Sequence, residues 1–311
     1  MVITVTINPA MDIVMKLDDF RLNVTNRIQK KFRCVGGKGT HVSINLSLLG
    51  VKNTATGVVM GATGEEIIKR LSEHDIDVRF LKLNRGESRT NYVITDSEGN
   101  CTLISEPGQQ FEKDVVEMFV SHYSELVGKD DMVVISGDAS NQKGTGLQDR
   151  LINMAVARGA RFCLDASGEY LENGIRKKPF LVKPNLDELG SLFGSEMKTE
   201  DEIVAAIRQV SANGAENIVA SCGGEGSYAL IGGRLYRAVP PAVKAKNTVG
   251  CGDALLSGII AGFEMKLPAA EILKKATAVA AATAMDESTA GFDPSVAAKL
   301  EPEVKVEELE L

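Results

Sequence analysis

No uninterrupted apolar run in this chain is long enough to span a bilayer, so no membrane segment is expected. The first residues lack a basic stretch followed by a long apolar core, and no signal peptide is expected either. Paired cysteines are missing too. The five present, Cys34, Cys101, Cys163, Cys222 and Cys251, are odd in number, widely spaced and never form C-x-x-C. That excludes a zinc ribbon or a disulfide framework and suggests reduced thiols in a cytoplasmic protein. Positive charge is in deficit, with a net charge of −7, which argues against a general nucleic-acid surface. An acidic chain that handles phosphates must gather its lysines and arginines locally. There are no internal repeats and no low-complexity linkers.

What remains is an ordinary globular composition: 311 residues, 44% apolar and 25% charged. That is enough for one large α/β domain or two smaller ones. Val2 to Ile7 is β-branched and reads as a first strand buried on both faces, ending at Asn8-Pro9. Asp12 lies just past that end, where it could hold sugar hydroxyls or simply serve a turn. Residues 13–35 read as short strands, 54–60 as a strand and 64–74 as a helix. Thr90 to Thr95 and Cys101 to Ser105 form a hairpin about Ser97-Glu98-Gly99-Asn100, suggesting a small sheet standing off the main body. From residue 111 helices and strands alternate: helices at 111–127, 147–158 and 200–212, strands at 132–136, 161–165, 180–183, 217–221 and 227–231. This predicts a mostly parallel sheet covered on both faces. The alanine-rich stretch 269–286 reads as a helix whose small face admits a close neighbour or a flat ring. The tail 301–311 is a terminal strand or a solvated end.

Two glycine-rich turns stand out. Val35-Gly36-Gly37-Lys38-Gly39-Thr40 feeds a helical pattern through Leu49. It is neither a Walker A loop nor G-x-G-x-x-G. Asn247-Thr248-Val249-Gly250-Cys251-Gly252-Asp253-Ala254 opens an apolar run to Phe263. A glycine turn entering a helix directs unpaired N–H groups at one spot and favours anions there. A carboxylate at that spot is a poor choice for binding alone. It suits a group that takes the proton of a hydroxyl attacking phosphorus. The alternative on these residues is an ordinary tight turn with Asp253 capping the helix.

The two signatures in this order, Gly36-Gly37-Lys38-Gly39 and Asn247 to Asp253, resemble the PfkB (ribokinase-like) carbohydrate kinases. Thr6 to Asp12, Arg89-Thr90-Asn91, Leu164 to Glu169 and Val182 to Leu189 resemble the branch that phosphorylates ketohexose phosphates, the tagatose-6-phosphate kinases and 1-phosphofructokinases. The resemblance covers nearly the whole chain. It implies a three-layer α/β/α fold with a mostly parallel sheet and a small β-sheet lid. The core would be 1–11, 36–86 and 106–311, and the lid 12–35 and 87–105. It implies an enzyme using ATP and Mg²⁺ that makes a bisphosphate from tagatose 6-phosphate or fructose 1-phosphate. Pairing of two lids into a homodimer is a further implication.

By the same resemblance Asp253 matches the catalytic base, and Gly250, Cys251 and Gly252 match the anion hole. Cys251 fills a slot often held by alanine. Asp12, Gly37, Lys38 and Arg89 match substrate positions, with Arg27 a further candidate. Lys38 and Arg89 would pair with the phosphate already on the sugar. Lys183, Asn185, Ser221, Gly223, Gly224 and Gly226 match the nucleotide side, with Ala278 and Ala282 near the adenine or merely packed within their helix. Asn185 and Glu188 match an element linked to Mg²⁺, through water; Glu188 reads otherwise as a surface helix residue. Two positions depart from the pattern. His41 stands where the branch usually has asparagine, as a sugar contact or a packed residue. Ser136-Gly137-Asp138-Ala139-Ser140 replaces Ser-Gly-Ser-Leu-Pro, which predicts a different loop. Two rival functions are weighed: a kinase of an unphosphorylated sugar or nucleoside, which Lys38, Arg89 and Arg27 together oppose, and a non-catalytic sugar-phosphate sensor, which Asp253 in an intact glycine turn opposes.

Overall fold

Val2–Thr6 forms strand β1, and all of it is buried, as a β-branched run without a polar face requires. The computed structural model describes residues 1–137 and 139–310. Asp138 lies outside the described residues, and with it the loop difference expected at Ser136-Gly137-Asp138-Ala139-Ser140. After β1 come β2 (Ala10–Lys16), β3 (Lys30–Gly36), α1 (Lys38–Leu48), β4 (Asn53–Met60), α2 (Gly61–Leu71) and β5 (Ile76–Leu83). Next are β6 (Arg89–Thr95), β7 (Cys101–Ser105), α3 (Lys113–Leu126), β8 (Met132–Ser136), α4 (Leu147–Ala157), β9 (Arg161–Asp165) and α5 (Gly168–Ile175). Then follow β10 (Leu181–Val182), α6 (Leu186–Phe193), α7 (Glu200–Ala212), β11 (Asn217–Ser221), β12 (Ser227–Ile231) and β13 (Arg234–Val239). The chain closes with α8 (Cys251–Glu264), α9 (Ala269–Ala284), α10 (Pro294–Leu300) and β14 (Lys305–Leu309).

Among the described residues the main sheet has ten strands in the order β14-β13-β12-β11-β10-β9-β8-β1-β4-β5. Pairing is parallel from β11 to β5 and antiparallel through β12, β13 and β14. Side chains alternate across its plane. Val133, Ile135, Phe162 and Leu164 join helices α3 to α7 in one apolar core. Their neighbours Met132, Val134 and Cys163 join α1, α8 and α9 in another. The result is the mixed α/β fold with helices on both faces that the sequence predicts, together with a separate four-stranded sheet in the order β3-β2-β6-β7. No helix among the described residues is long and apolar enough to cross a membrane.

Some elements differ from the sequence reading. Asp12 is not in a turn past the first strand; the chain re-enters a strand at Ala10, and Asp12 pairs with Cys34 inside β2. Strand β5, strand β13 and helices α5 and α10 had not been anticipated. The strand at 180–183 shrinks to Leu181–Val182. The tail is a strand, because β14 pairs antiparallel with β13.

Helices α8 and α9 approach closely because Gly258 has no side chain. A Cβ there would lie 2.4 Å from Ala276 Cα. A side chain there would force the two helices apart. Gly258→Val should therefore destabilise the protein by about 1–3 kcal/mol, read as a lower midpoint in denaturant. Gly224→Ala, where a Cβ meets nothing within 4 Å, should leave the midpoint nearly unchanged.

Candidate active site

The carboxyl ends of β1, β8, β9, β10 and β11 open on one crevice, the usual ligand position in an open α/β sheet. A cavity of about 780 Å³ runs from the small sheet, across these ends, to the N-terminus of α8 and the flank of α9. At its centre Gly250 caps α8 in the left-handed region, with φ of 87°. Only glycine fits there, since a Cβ would lie 2.0 Å from the Thr289 carbonyl oxygen. No side chain caps α8; Cys251 N donates weakly to the Thr248 carbonyl at 3.4 Å, and the other donors of the first turn remain for the cavity. Asp253 is therefore not the helix cap. It is the third residue of α8 and is buried, lining the cavity together with Gly250, Cys251 and Gly252. Asn247 anchors the approach: its side chain accepts from Val249 N at 3.0 Å and donates to the carbonyls of Glu287 and Ser288.

Asp12 lies at the small-sheet end, buried against Gly36, where a Cβ would strike its carboxylate at 2.0 Å. Asn91 Nδ2 donates to Asp12 Oδ1 at 2.8 Å. Burial works against the charge on Asp12, but His41, Thr289 and Asn91 hold its carboxyl below the usual range. His41 stands between the two acids. Its Nδ1 is 2.7 Å from Asp253 Oδ2, and its Nε2 is 3.0 Å from the Val35 carbonyl oxygen. Both ring nitrogens are thus engaged by the protein, and His41 lines the cavity. Burial disfavours the imidazolium, but the carboxylates of Asp12 and Asp253 outweigh burial and raise its pKa to about 10.

Two ammonium groups share one oxygen of Asp165. Lys38 Nζ is 3.2 Å and Lys183 Nζ 3.4 Å from Asp165 Oδ1, while Ser136 Oγ donates to Oδ2 at 3.1 Å. Two cations on one carboxylate leave a local surplus of positive charge. The Asp165 charge chiefly holds Lys38 above the ordinary lysine value. Burial opposes ionisation of Asp165, but Lys183 and Lys38 keep it below the usual carboxylate range. Lys183 also reaches the α8 turn: a Cβ on Gly252 would lie 3.4 Å from its Nζ. Arg89 lines the cavity and donates to the carbonyls of Asn8 and Glu106.

On the far side Ser221, Gly223, Gly224 and Gly226 line the cavity. Asn185 and Glu188 line it as well, but both also serve α6. Asn185 Oδ1 accepts from Glu188 N, and Glu188 Oε2 accepts from Asn185 N, a closed capping box. Glu188 Oε1 is the oxygen left over. Among the described residues no cluster of three or more His, Cys, Asp or Glu forms a ready metal cage.

Most residues singled out from the sequence therefore meet in one cavity, and three do not. Arg27 is exposed on the connection between β2 and β3, because β2 carries the chain away from the cavity before that connection begins. Ala278 and Ala282 face inward from α9, with Ala282 packed against Ala254, Val279 and Phe292. The face of α9 that lines the cavity carries Thr277, Ala280, Ala281 and Ala284, spaced as one side of a helix. The sequence motifs include Asn91, Thr6 and Asp165 but assign them no role. Asn91 Oδ1 and Thr6 Oγ1 are buried polar atoms without a protein partner at the cavity wall. The available signal for Asn91 was strand alternation, which sets it on the same face as Arg89.

Residues 5–295 match the pfkB family carbohydrate kinase profile. The chain is 34% identical over 292 residues to the tagatose-6-phosphate kinase of Staphylococcus epidermidis, covering 93% of this chain and 94% of that protein. It is 32% identical over 309 residues to the 1-phosphofructokinase of Bacillus subtilis, covering 99% and 100%. Among solved structures, that of a "Possible 1-phosphofructokinase" from Thermotoga maritima aligns with a TM-score of 0.89 at 28% identity, over 99% of each chain. Fold, motif order and full-length similarity agree: the chain is an enzyme of the pfkB family of carbohydrate kinases, in the branch of tagatose-6-phosphate kinases and 1-phosphofructokinases.

Proposed function

We propose that this kinase transfers the terminal phosphoryl group of ATP to the free primary hydroxyl of tagatose 6-phosphate or fructose 1-phosphate, with Asp253 as general base. The observation that carries this reading is the buried Asp253 carboxylate at a helix N-terminus that no side chain caps. The hydroxyl proton passes to Asp253 as its oxygen bonds to phosphorus, so placement matters more than basicity. The N–H groups of Gly250, Cys251 and Gly252, with the Lys183 ammonium, stabilise charge on the transferring group. At the other end Lys38 and Arg89 receive the phosphate already on the sugar. Asp12 and Asn91 hold its hydroxyls.

The Mg²⁺ that accompanies ATP neutralises phosphate charge. The donor set fits an ion held mainly by phosphates and water, since the capping box leaves chiefly Glu188 Oε1 to face it. Ser221, Gly223, Gly224 and Gly226 flank the nucleotide, and Thr277, Ala280, Ala281 and Ala284 give its base a flat wall. The four-stranded sheet is the lid, which on closing excludes water that would otherwise take the phosphoryl group. Two copies would pair through this lid, where Leu22, Val24, Ile28, Tyr92 and Ile104 are exposed. Sedimentation should then show a dimer that Ile104→Lys weakens, and a monomer in the unaltered protein rejects the pairing.

Asp253→Asn should lower kcat about 10²- to 10⁴-fold while ATP binding, read by calorimetry, changes little. Near-normal turnover in that variant removes the base assignment. A coupled assay across fructose 1-phosphate, fructose 6-phosphate, tagatose 6-phosphate, ribose and adenosine tests the substrate class. Preference for free ribose or adenosine overturns it. Arg89→Ala should raise KM for the favoured sugar phosphate much more than KM for ATP.

A further inference from the structure

We propose that His41 is the positioning residue of this site: its ring, carrying a hydrogen on both nitrogens, ties the base Asp253 to the sugar-binding Asp12 and leaves one Asp253 oxygen for the substrate hydroxyl. The inference rests on the assignment of Asp253 made above.

The proton count follows from the partners. His41 is 4% exposed and sits at the start of α1, its N–H donating to the Gly37 carbonyl at 3.0 Å. Nε2 faces the Val35 carbonyl oxygen at 3.0 Å. A carbonyl oxygen can only accept, so Nε2 carries a hydrogen. Nδ1 faces Asp253 Oδ2 at 2.7 Å. An ionised carboxylate also only accepts, so Nδ1 carries one too. A ring hydrogenated at both nitrogens is an imidazolium. Asp12 Oδ2 lies 3.7 Å from Nε2, too far for a good hydrogen bond but close enough for its charge to act.

Two mechanical effects result. Asp253 is a short side chain with two torsions, and pinning Oδ2 fixes the direction of the other oxygen. Asp12 and Asp253 would together place two negative charges beside an incoming phosphoryl group, and the imidazolium reduces that to one. The same ring bonds to the acid that takes the proton and lies 3.7 Å from the acid that orients the sugar, so the charge of one is felt at the other.

The charged groups around the ring are few. Asp12 faces it from β2 and Asp253 from α8. Lys38, on its own helix, acts on Asp253 and is tied to Asp165 of β9. The strands packed on α1 meet it through uncharged side chains: Thr4 of β1, Asn53 of β4, Val134 of β8, Val35 of β3 and Phe80 of β5. With the ring raised from 6.5 to about 10, the stability it contributes is complete below the lower value. It is lost as pH rises through the higher one.

Nitrogen-15 spectra of the histidine rings test the proton count in the unaltered protein. The chain has three histidines, and the signals lost in His41→Asn are those of His41. At about pH 8 they should show two ring N–H groups; a singly protonated ring overturns the proposal. In steady-state kinetics His41→Ala should lower kcat on the order of 10- to 100-fold with KM for ATP little changed. His41→Asn, which keeps an N–H toward Asp253, should recover part of that loss. The difference in melting midpoint between the unaltered protein and His41→Asn should shrink from pH 6.5 to about 10. Unchanged kcat in His41→Ala rejects the positioning role yet leaves the base standing if Asp253→Asn is inactive. An active Asp253→Asn rejects the base itself.

Discussion

A carboxylate stands where the backbone is built to receive anions, and the charges of the site are arranged around that conflict. A buried charge without a partner is costly, by several kcal/mol per ion. Here each of the three buried acids around the cavity has a cation close by: Asp253 has His41 at 2.7 Å, Asp165 has Lys38 at 3.2 Å and Lys183 at 3.4 Å, and Asp12 has His41 at 3.7 Å. These partners come from different parts of the chain, with Asp12 on β2, Asp165 on β9, Asp253 on α8, His41 and Lys38 on α1 and Lys183 just after β10. The pairing therefore ties together elements that the sheet alone only brings near one another. Loss of one partner leaves a charge behind, so the network places the acids more than it stabilises the fold.

The backbone supplies the close approaches this network needs. Gly36 makes room for Asp12, Gly250 passes against the Thr289 carbonyl, and Gly258 lets α9 lie against α8. Asn247 adds side-chain bonds that hold the turn before α8 to residues 287 and 288. The alternation of strand residues between two apolar cores does the rest: it holds the strands in a buried plane, and the carboxyl ends of β1, β8, β10 and β11 reach the cavity.

Much of this was legible in the sequence because it is local. A β-branched run and a glycine turn entering a helix each carry their own reason. Full burial of β1 follows from such a pattern. What escaped depends on tertiary placement. Nothing local tells whether Ala278 or Ala281 faces a ligand, because the helix repeat fixes which residues share a face but not which face turns to the cavity. Arg27 looks like a phosphate ligand until β2 is seen to carry the chain away from the site. His41 was visible as an oddity, yet its use required knowing that Asp12 and Asp253, 241 positions apart by their numbers, lie on either side of one ring. Strand β5 was missed although Ile76, Val78 and Phe80 alternate, since an edge strand after a helix has only a weak apolar face.

Cys251 shows what kind of field the α8 turn presents. A thiol at a helix N-terminus is normally driven toward the thiolate. Here burial, then the charge of Asp253 and the neighbouring Cys101, push it the other way, up to about 12. Burial is the larger cause and the acid adds to it, so Cys251 stays a neutral filler that neither repels phosphate nor reacts readily with oxidants. The Asp253 carboxylate stands beside the same turn and opposes an anion there. In the proposed reading a phosphoryl group entering it depends on a cation brought from outside the helix, Lys183, which reaches over Gly252 and is held by Asp165. On that reading Lys183 is thus as much a part of the hole as the glycines, and the helix end contributes direction more than affinity.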